Sequence, residues 1–368
     1  MISDDNMLPL MNVGGELVSS WIEGVNHRDL SDYGFVKFDI LGITALSVIA
    51  ECVRQTGVVV EQIKPDDPHI IAEFARGHTD IIFQFNSWKT QEYLRDMRPT
   101  QFEDLVATNA LLRPGATDVG MDIEYLKRKK NPDNTSWAYH PAIESVLGPT
   151  YGVLVYQEQL TQLASELAGL SLAEGEKLRK EIIKYGKSDI GRSGAEEIKR
   201  TTIDGFLKAG LTKDQCDKLW ENFNAFARYG FTRNHSYPYS LIAYWQMYFR
   251  VNYPEIFFYS YCMCEGNKSG KDRDKNIGKA IRDARQFDVR FLPPDINLSD
   301  RSFCLEDKNV RFGLTQIPYV GNSVAEEIIT KRPYSSLEDF ESKVTKRKVN
   351  KRAKEMLMAE GAFGSVGA

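Results

Sequence analysis

A chain of 368 residues with 42% hydrophobic content can bury one sizeable core or two or three smaller ones, and is too apolar to be disordered. Its formal net charge of −4 hides basic clusters such as Lys127-Arg128-Lys129-Lys130, so overall charge neither requires nor forbids nucleic acid. Five scattered cysteines, an odd number, do not read as a disulfide framework and suit a reducing cytoplasm, which is the expected location.

The opening stretch MISDDNMLPLMNVGG lacks a basic region followed by an apolar run, which predicts no signal peptide. Further on, Phe35-Val-Lys-Phe-Asp-Ile40 alternates so that Val36, Phe38 and Ile40 share one face while Lys37 and Asp39 share the other, the pattern of a strand with a polar face. After Gly42, the run from Thr44 to Gln55 spaces Leu46, Ile49, Ala50 and Val53 as a helix, with a stop at Gly57.

From about 58 to 300 the pattern is mostly helical, with stops at Gly77, Pro99, Pro114, Pro132, Pro149, Gly169 and Gly210. Gly152-Val-Leu-Val-Tyr156 reads as a short strand before a helix over Gln157 to Ala168, and Gly186 to Gly194 reads as a mobile loop. The aromatics Tyr244, Tyr248 and Phe249 have helical spacing and read as core. Gln246, Arg250, Asn252 and Glu255 interrupt this stretch, so it is not a membrane span and no membrane partner is expected. Cys262 and Cys264 lack a second Cys/His pair at zinc-site spacing and read as buried soft side chains.

After Pro293-Pro294 the composition shifts, and Lys343, Lys346, Arg347, Lys348, Lys351, Arg352 and Lys354 follow with few acids between them. A boundary near 300 and a small helical module with a basic face are expected.

Asp39 is the first residue to need a reason, since a carboxylate within an apolar strand is costly unless engaged. It can form an ion pair, face solvent at the strand end, or bind a metal; Lys37 on the same face can pair with it or bind phosphate.

Several stretches in order carry a family resemblance: Val36-Lys-Phe-Asp-Ile-Leu-Gly42, Phe83-Gln-Phe, Phe102-Glu-Asp-Leu, Leu112-Arg-Pro-Gly115, Pro149-Thr-Tyr-Gly-Val-Leu-Val-Tyr-Gln-Glu-Gln159, Tyr229-Gly-Phe231, His235-Ser236 and Leu292-Pro-Pro-Asp-Ile-Asn297. From about residue 30 onward the chain resembles the C-family replicative DNA polymerases of bacteria. The resemblance implies a mainly α fold with a small α/β palm fragment (1–57), a helical fingers domain (58–300) and a tandem helix-hairpin-helix module (301–368).

By the same resemblance, Asp39 is one of three carboxylates that hold two Mg2+ ions for template-directed phosphoryl transfer. The family's other two lie on an Asp-x-Asp strand upstream. Here the only upstream acidic pair is Asp4-Asp5, outside any strand pattern, so the expectation is a second polymerase chain that supplies the Asp-x-Asp palm strand and the thumb and shares the ions, with a piece cut from a longer chain as the alternative. Expected partners are also primer-template DNA, deoxynucleoside triphosphates, and a sliding clamp reached through other subunits.

The resemblance places Arg179 and Lys180, with Lys37, Tyr229 and His235, at the incoming triphosphate. Guanidinium suits phosphate because its donors form a rigid fork. Read from residues alone, Lys177-Leu-Arg-Lys180 is a solvated helix face and His235 a structural residue. Here Lys180 is followed by Glu-Ile-Ile-Lys-Tyr-Gly-Lys187, Thr232-Arg-Asn precedes His235, and Tyr237-Pro-Tyr239 follows, all departures from the family pattern.

In the tail, Leu314-Thr-Gln-Ile-Pro-Tyr-Val-Gly-Asn-Ser-Val-Ala325 resembles a helix-hairpin-helix, whose backbone amides meet DNA phosphate. Gly321, Asn322, Lys348, Lys351 and Arg352 are the expected DNA contacts, and Tyr319 stands where the motif usually has its first Gly. A packing domain with solvated charges is the alternative for the tail, and a non-catalytic DNA-binding or assembly protein derived from a polymerase is the alternative for the whole.

Overall fold

A computed structural model describes residues 10–19, 42–113, 115–185, 192–227, 230–266, 268 and 270–366. They hold sixteen α-helices and five short strands, the mainly helical fold expected. The chain divides into two compact units, Met1–Thr44 and Ala45–Ala368. The strand expected over Phe35 to Ile40, with Lys37 and Asp39, lies outside the described residues, as does the Asp4-Asp5 pair.

The first unit contains an antiparallel hairpin of β1 (Leu10–Val13) and β2 (Glu16–Ser19), with Val13 opposite Glu16. The turn is Gly14-Gly15, at φ +64° and +96°. Two consecutive left-handed residues make the two-residue turn whose twist matches paired strands, and glycine adopts it without a Cβ clash. Asn12 Oδ1 accepts from Gly15 N at 2.9 Å.

In the larger unit, α1 (Thr44–Thr56) buries Ala45, Val48, Ile49 and Cys52. Of the expected stripe only Ile49 is buried, and Leu46 is 43% exposed. Counting Ala45 and Cys52 as apolar turns the stripe by about one position. Next come α2 (Pro68–Ala75), α3 (Trp88–Met97), α4 (Phe102–Leu111) and α5 (Met121–Lys129). The long α11 (Arg233–Asn252) packs on α2 and α4, and α12 (Pro254–Gly266) and α13 (Lys271–Ala284) follow it. Tyr244 and Phe249 are fully buried and Tyr248 half-buried, so the aromatic stretch is core as expected.

A second core joins α6 (Pro141–Leu147), α7 (Gln157–Ala168), α8 (Leu172–Tyr185), α9 (Arg192–Lys208) and α10 (Lys213–Ala227) through Leu160, Leu163, Phe206 and Phe223. Helix α7 has the expected bounds and ends at Gly169, whose φ of +68° makes a left-handed C-cap. The loop expected over Gly186 to Gly194 ends sooner, since Arg192 already opens α9; residues 186–191 lie outside the described residues.

The strand expected at Gly152 to Tyr156 is instead an extended segment with one parallel bridge, Tyr156 to Phe231. The reason is local: Gln159 Oε1 accepts from both Val155 N and Tyr156 N at 2.9 Å, so a side-chain amide takes the donors a neighbouring strand would use.

The C-terminal part begins with a three-stranded sheet, in which β3 (Phe291–Leu292) runs parallel to β5 (Asn309–Arg311) and β5 antiparallel to β4 (Cys304–Glu306). Then α14 (Asn322–Thr330), α15 (Leu337–Lys343) and α16 (Lys351–Ala359) enclose a core of Leu314, Ile328, Phe340 and Leu357. Asp295 ties this module together: its carboxylate accepts from Asn297 N, Leu298 N, Ser365 N and Ser365 Oγ at 2.7–3.1 Å.

Candidate functional site

Of the described residues of the expected nucleotide site, Arg179 and Lys180 stand on α8, while the first turn of α11 holds His235. Thr232 is its N-cap, and the Glu158 carboxylate of α7 accepts from Thr232 Oγ1 at 2.5 Å, Arg233 N at 3.0 Å and Asn234 N at 3.4 Å. A carboxylate there satisfies amides that the helix leaves without partners and meets the positive end of its dipole. Burial pushes the Glu158 carboxyl up, but the bonds from Arg233, Thr232 and Asn234 outweigh it and hold it below the usual range. Arg233 forks onto Glu103 of α4 at 2.8 and 3.2 Å, and Gln157 holds Gly230 O at 2.6 Å and Phe231 O at 2.9 Å. Helices α4, α7 and α11 are thus locked together at one end.

His235 stands in the first turn of α11, between Phe231 (ring centroids 5.1 Å apart) and Tyr239 (4.2 Å). Arg113, from Leu112-Arg-Pro-Gly115, lies with its guanidinium carbon 3.6 Å from the Phe231 centroid and donates to Asn109 O at 3.0 Å. Loss of water contact, then the nearby Arg113 charge, lowers the His235 pKa below its ordinary 6.5. Arg113 and Arg233 are cations at this site to which sequence reading assigned no role. The quoted Leu-Arg-Pro-Gly motif was the signal for Arg113, and the Thr232-Arg-Asn stretch before His235 was that for Arg233.

Arg179, on α8, is nearly buried and forks onto Glu176 at 2.7 and 2.8 Å; Lys180 reaches the same carboxylate at 3.5 Å with its side chain 68% exposed. The Arg179 bond, above all, holds Glu176 below the usual carboxyl range. The charge of Glu158 also acts on Arg179, which links α8 to the start of α11. Both described cations among those assigned to the triphosphate therefore carry an internal counter-charge. Tyr229, Lys37 and Asp39 lie outside the described residues.

Other family-like stretches are explained by packing. Asp104 of Phe102-Glu-Asp-Leu is fully buried and accepts from Lys129 Nζ at 2.7 Å, Tyr125 Oη at 3.1 Å, Tyr151 Oη at 3.3 Å and Thr100 N at 2.9 Å. Gln159, 8% exposed, also donates to Val146 O and Thr150 Oγ1, so its amide has no bonding capacity left for a ligand. Gly152 has φ +78°, and a Cβ there would overlap the Trp137 ring.

Among the described residues, no group of three or more His, Cys, Asp or Glu side chains is placed to hold a metal ion. A carboxylate such as Asp39 is the hard oxygen ligand that Mg2+ prefers, and one carboxylate is one ligand. All five cysteines are free; burial pushes the Cys52 thiol up to about 12. No described helix is long and apolar enough to cross a membrane.

In the tail, Gly321 caps α14 with φ −79°, and a Cβ there would meet nothing within 4 Å. Its backbone is ordinary and the space beside it open, and Asn322 next to it is exposed. The run of basic residues is less free than its sequence reads. Lys348 pairs with Glu327 at 2.9 Å, Lys343 with Asp339 at 2.8 Å, Lys351 with Glu355 at 3.9 Å, and Lys354 with Glu341. The acids were sparse between the cations, but Asp339 and Glu355 reach theirs across one helical turn, and the fold brings Glu327 of α14 to Lys348 and Glu341 of α15 to Lys354. Bonds from Thr345 and Lys348 hold the Glu327 carboxyl down at about 2. Arg352 lies over the exposed ring of Tyr319.

Residues 43–205 match the family model described as the bacterial DNA polymerase III alpha subunit finger domain, and residues 288–368 match a helix-hairpin-helix motif. The chain is 36% identical over 345 residues to the DNA polymerase III subunit alpha of Aquifex aeolicus, an alignment that covers 91% of this chain and 29% of the relative. It is 33% identical to that of Halalkalibacterium halodurans (92% and 30% covered) and 32% identical to that of Thermus aquaticus (91% and 28%). The chain spans less than a third of the length of these relatives.

Proposed function

We propose that this chain, which carries the finger domain and the helix-hairpin-helix region of bacterial DNA polymerase III alpha subunits, works as part of a DNA-directed DNA polymerase. The observation that carries the reading is the relatives' likeness over nine tenths of the chain. The three-part division, palm fragment to 57, fingers to 300 and hairpin module to 368, belongs to the same reading.

In this reading, Arg179 and Lys180 exchange Glu176 for the phosphates of a deoxynucleoside triphosphate, while Lys37, Tyr229 and His235 line the site. A neutral His235, as its lowered pKa implies, serves as a hydrogen-bonding and stacking group rather than a charge. Asp39 is a ligand to Mg2+, whose chemistry there would be to stabilise the attacking and departing oxygens of phosphoryl transfer. Two further carboxylates reach Asp39 from polypeptide outside this sequence, in our reading a complementary chain with the Asp-x-Asp strand and thumb. Gly321, Asn322, Lys348, Lys351 and Arg352 grip duplex DNA without regard to sequence, so binding weakens as salt rises. A clamp is reached through other subunits, and the assembly works in the cytoplasm.

The pairing of Arg179 and Lys180 with Glu176 of the same chain favours a second reading, a DNA-binding or assembly protein without chemistry. Primer extension separates the two. The chain is combined with a polypeptide that carries the Asp-x-Asp strand and thumb, and Asp39→Asn is compared with the native residue. The polymerase reading expects the variant to lose at least a hundredfold in extension with DNA binding unchanged. Equal extension by both, or none by the native pair, overturns it.

A further inference from the structure

Tyr319 holds a left-handed backbone, φ +66°, at the hairpin position where the motif usually has glycine. For an L residue with a bulky side chain this conformation is unfavourable, and it persists only where something holds it. Tyr151, also left-handed, is held by bonds with Asp104 and Lys129. Tyr319 is held instead by the turn that Val320 N closes on Ile317 O at 3.1 Å and by Arg352. Its side chain is largely in water, the residue being 55% exposed, and it rests on Arg352, itself exposed. The Arg352 guanidinium carbon lies 3.7 Å from the ring centroid and its Nη2 donates to Tyr319 Oη at 2.5 Å. The strained backbone thus presents a flat aromatic ring, backed by a cation, at the surface. Beside it, the space around Gly321 is open at the start of α14.

We propose that Tyr319 and Arg352 form a stacking plate for an unpaired base of single-stranded DNA. An aromatic face accepts any base, because every base has a π-face, and a stacked guanidinium adds cation–π attraction. Bases of a duplex are already stacked on one another, so the plate selects strands whose bases are open. The inference rests on the reading that the hairpin module binds DNA, and extends it to the form of DNA bound.

Fluorescence anisotropy on the full chain tests it with three labelled probes: a thymidine 16-mer, a 16-mer of abasic nucleotides with the same phosphates, and a blunt duplex. The native chain is expected to bind the thymidine strand about tenfold or more tighter than the abasic strand, the effect of one stacked base. Tyr319→Gly should erase that difference and leave duplex binding within about twofold, while Tyr319→Phe, which keeps the ring, retains it. Because glycine relieves the left-handed backbone, Tyr319→Gly should melt no lower than the native chain, which separates loss of the plate from loss of fold. Equal native affinity for thymidine and abasic strands, or unchanged thymidine binding in Tyr319→Gly, overturns the plate. A native chain that fails to bind the duplex overturns the underlying reading instead, and the plate is then judged on the two single strands.

Discussion

The Lys129 ammonium and the Asp104 carboxylate meet at 2.7 Å inside the protein, with side chains 9% and 0% exposed. Twenty-five residues separate them in sequence, and the pair joins the N-terminus of α4 to the C-terminus of α5. The Tyr125 hydroxyl on the same carboxylate is pushed far above its ordinary range, by burial first and by the Asp104 charge next. Truncating Asp104 leaves an ammonium and two phenols without their acceptor. Asp104→Ala should lose about 3–5 kcal/mol in urea unfolding, as breaking a buried pair does. Lys129→Met should lose less, because the carboxylate keeps its bonds from Tyr125, Tyr151 and Thr100.

Gly152 is held by both backbone and space. Alanine there would take a left-handed conformation and press into Trp137 beside Arg128, whose Nη1 donates to Gly152 O at 2.7 Å. Strain and overpacking together should destabilise Gly152→Ala by roughly 2–4 kcal/mol. Trp137 emission should shift as its packing changes.

Glu327 gives the hairpin module an acid limit. The folded chain holds this carboxyl at about 2 against an ordinary 4.5, so folding favours the charged form. The contribution is complete above about pH 4.5 and is lost as pH falls toward 2. Glu327→Gln should lower the urea midpoint at pH 7, and the gap from the native chain should close as the buffer approaches pH 2. A gap that stays constant with pH would show that lost packing, not charge, is responsible.

His235 should titrate below 6.5 by NMR and be neutral at pH 7. A depressed imidazole pKa means that folding disfavours the proton, so this residue's contribution is complete above 6.5 and declines as pH falls through the folded value. Arg113→Gln should raise the His235 pKa part of the way back to 6.5, because desolvation, the larger cause, remains. No movement would mean that the Arg113 charge does not reach the ring.

Much of the helical frame was legible because it is decided within a few residues. Helix α7 falls where the turn signal at Gly169 ends it, and the core aromatics Tyr244 and Phe249 follow from helical spacing. The extended segment at 152–156 misled for a definite reason: a short continuous apolar run looks the same whether its amides meet a strand or the side chain of Gln159. The hairpin at Gly14-Gly15 was legible in its turn residues and passed unread.

By itself, the sequence determined the family resemblance, the helices and the residue types at the candidate site, since motif order, periodicity and turn chemistry are properties of neighbouring residues. Only the tertiary structure decided which charges are already satisfied. Arg233 finds Glu103 from 130 positions away, and Lys348 finds Glu327 across 21, while Arg352 comes to lie beneath Tyr319. Coulomb and stacking forces act over a few ångströms of space, and separation along the chain does not enter them.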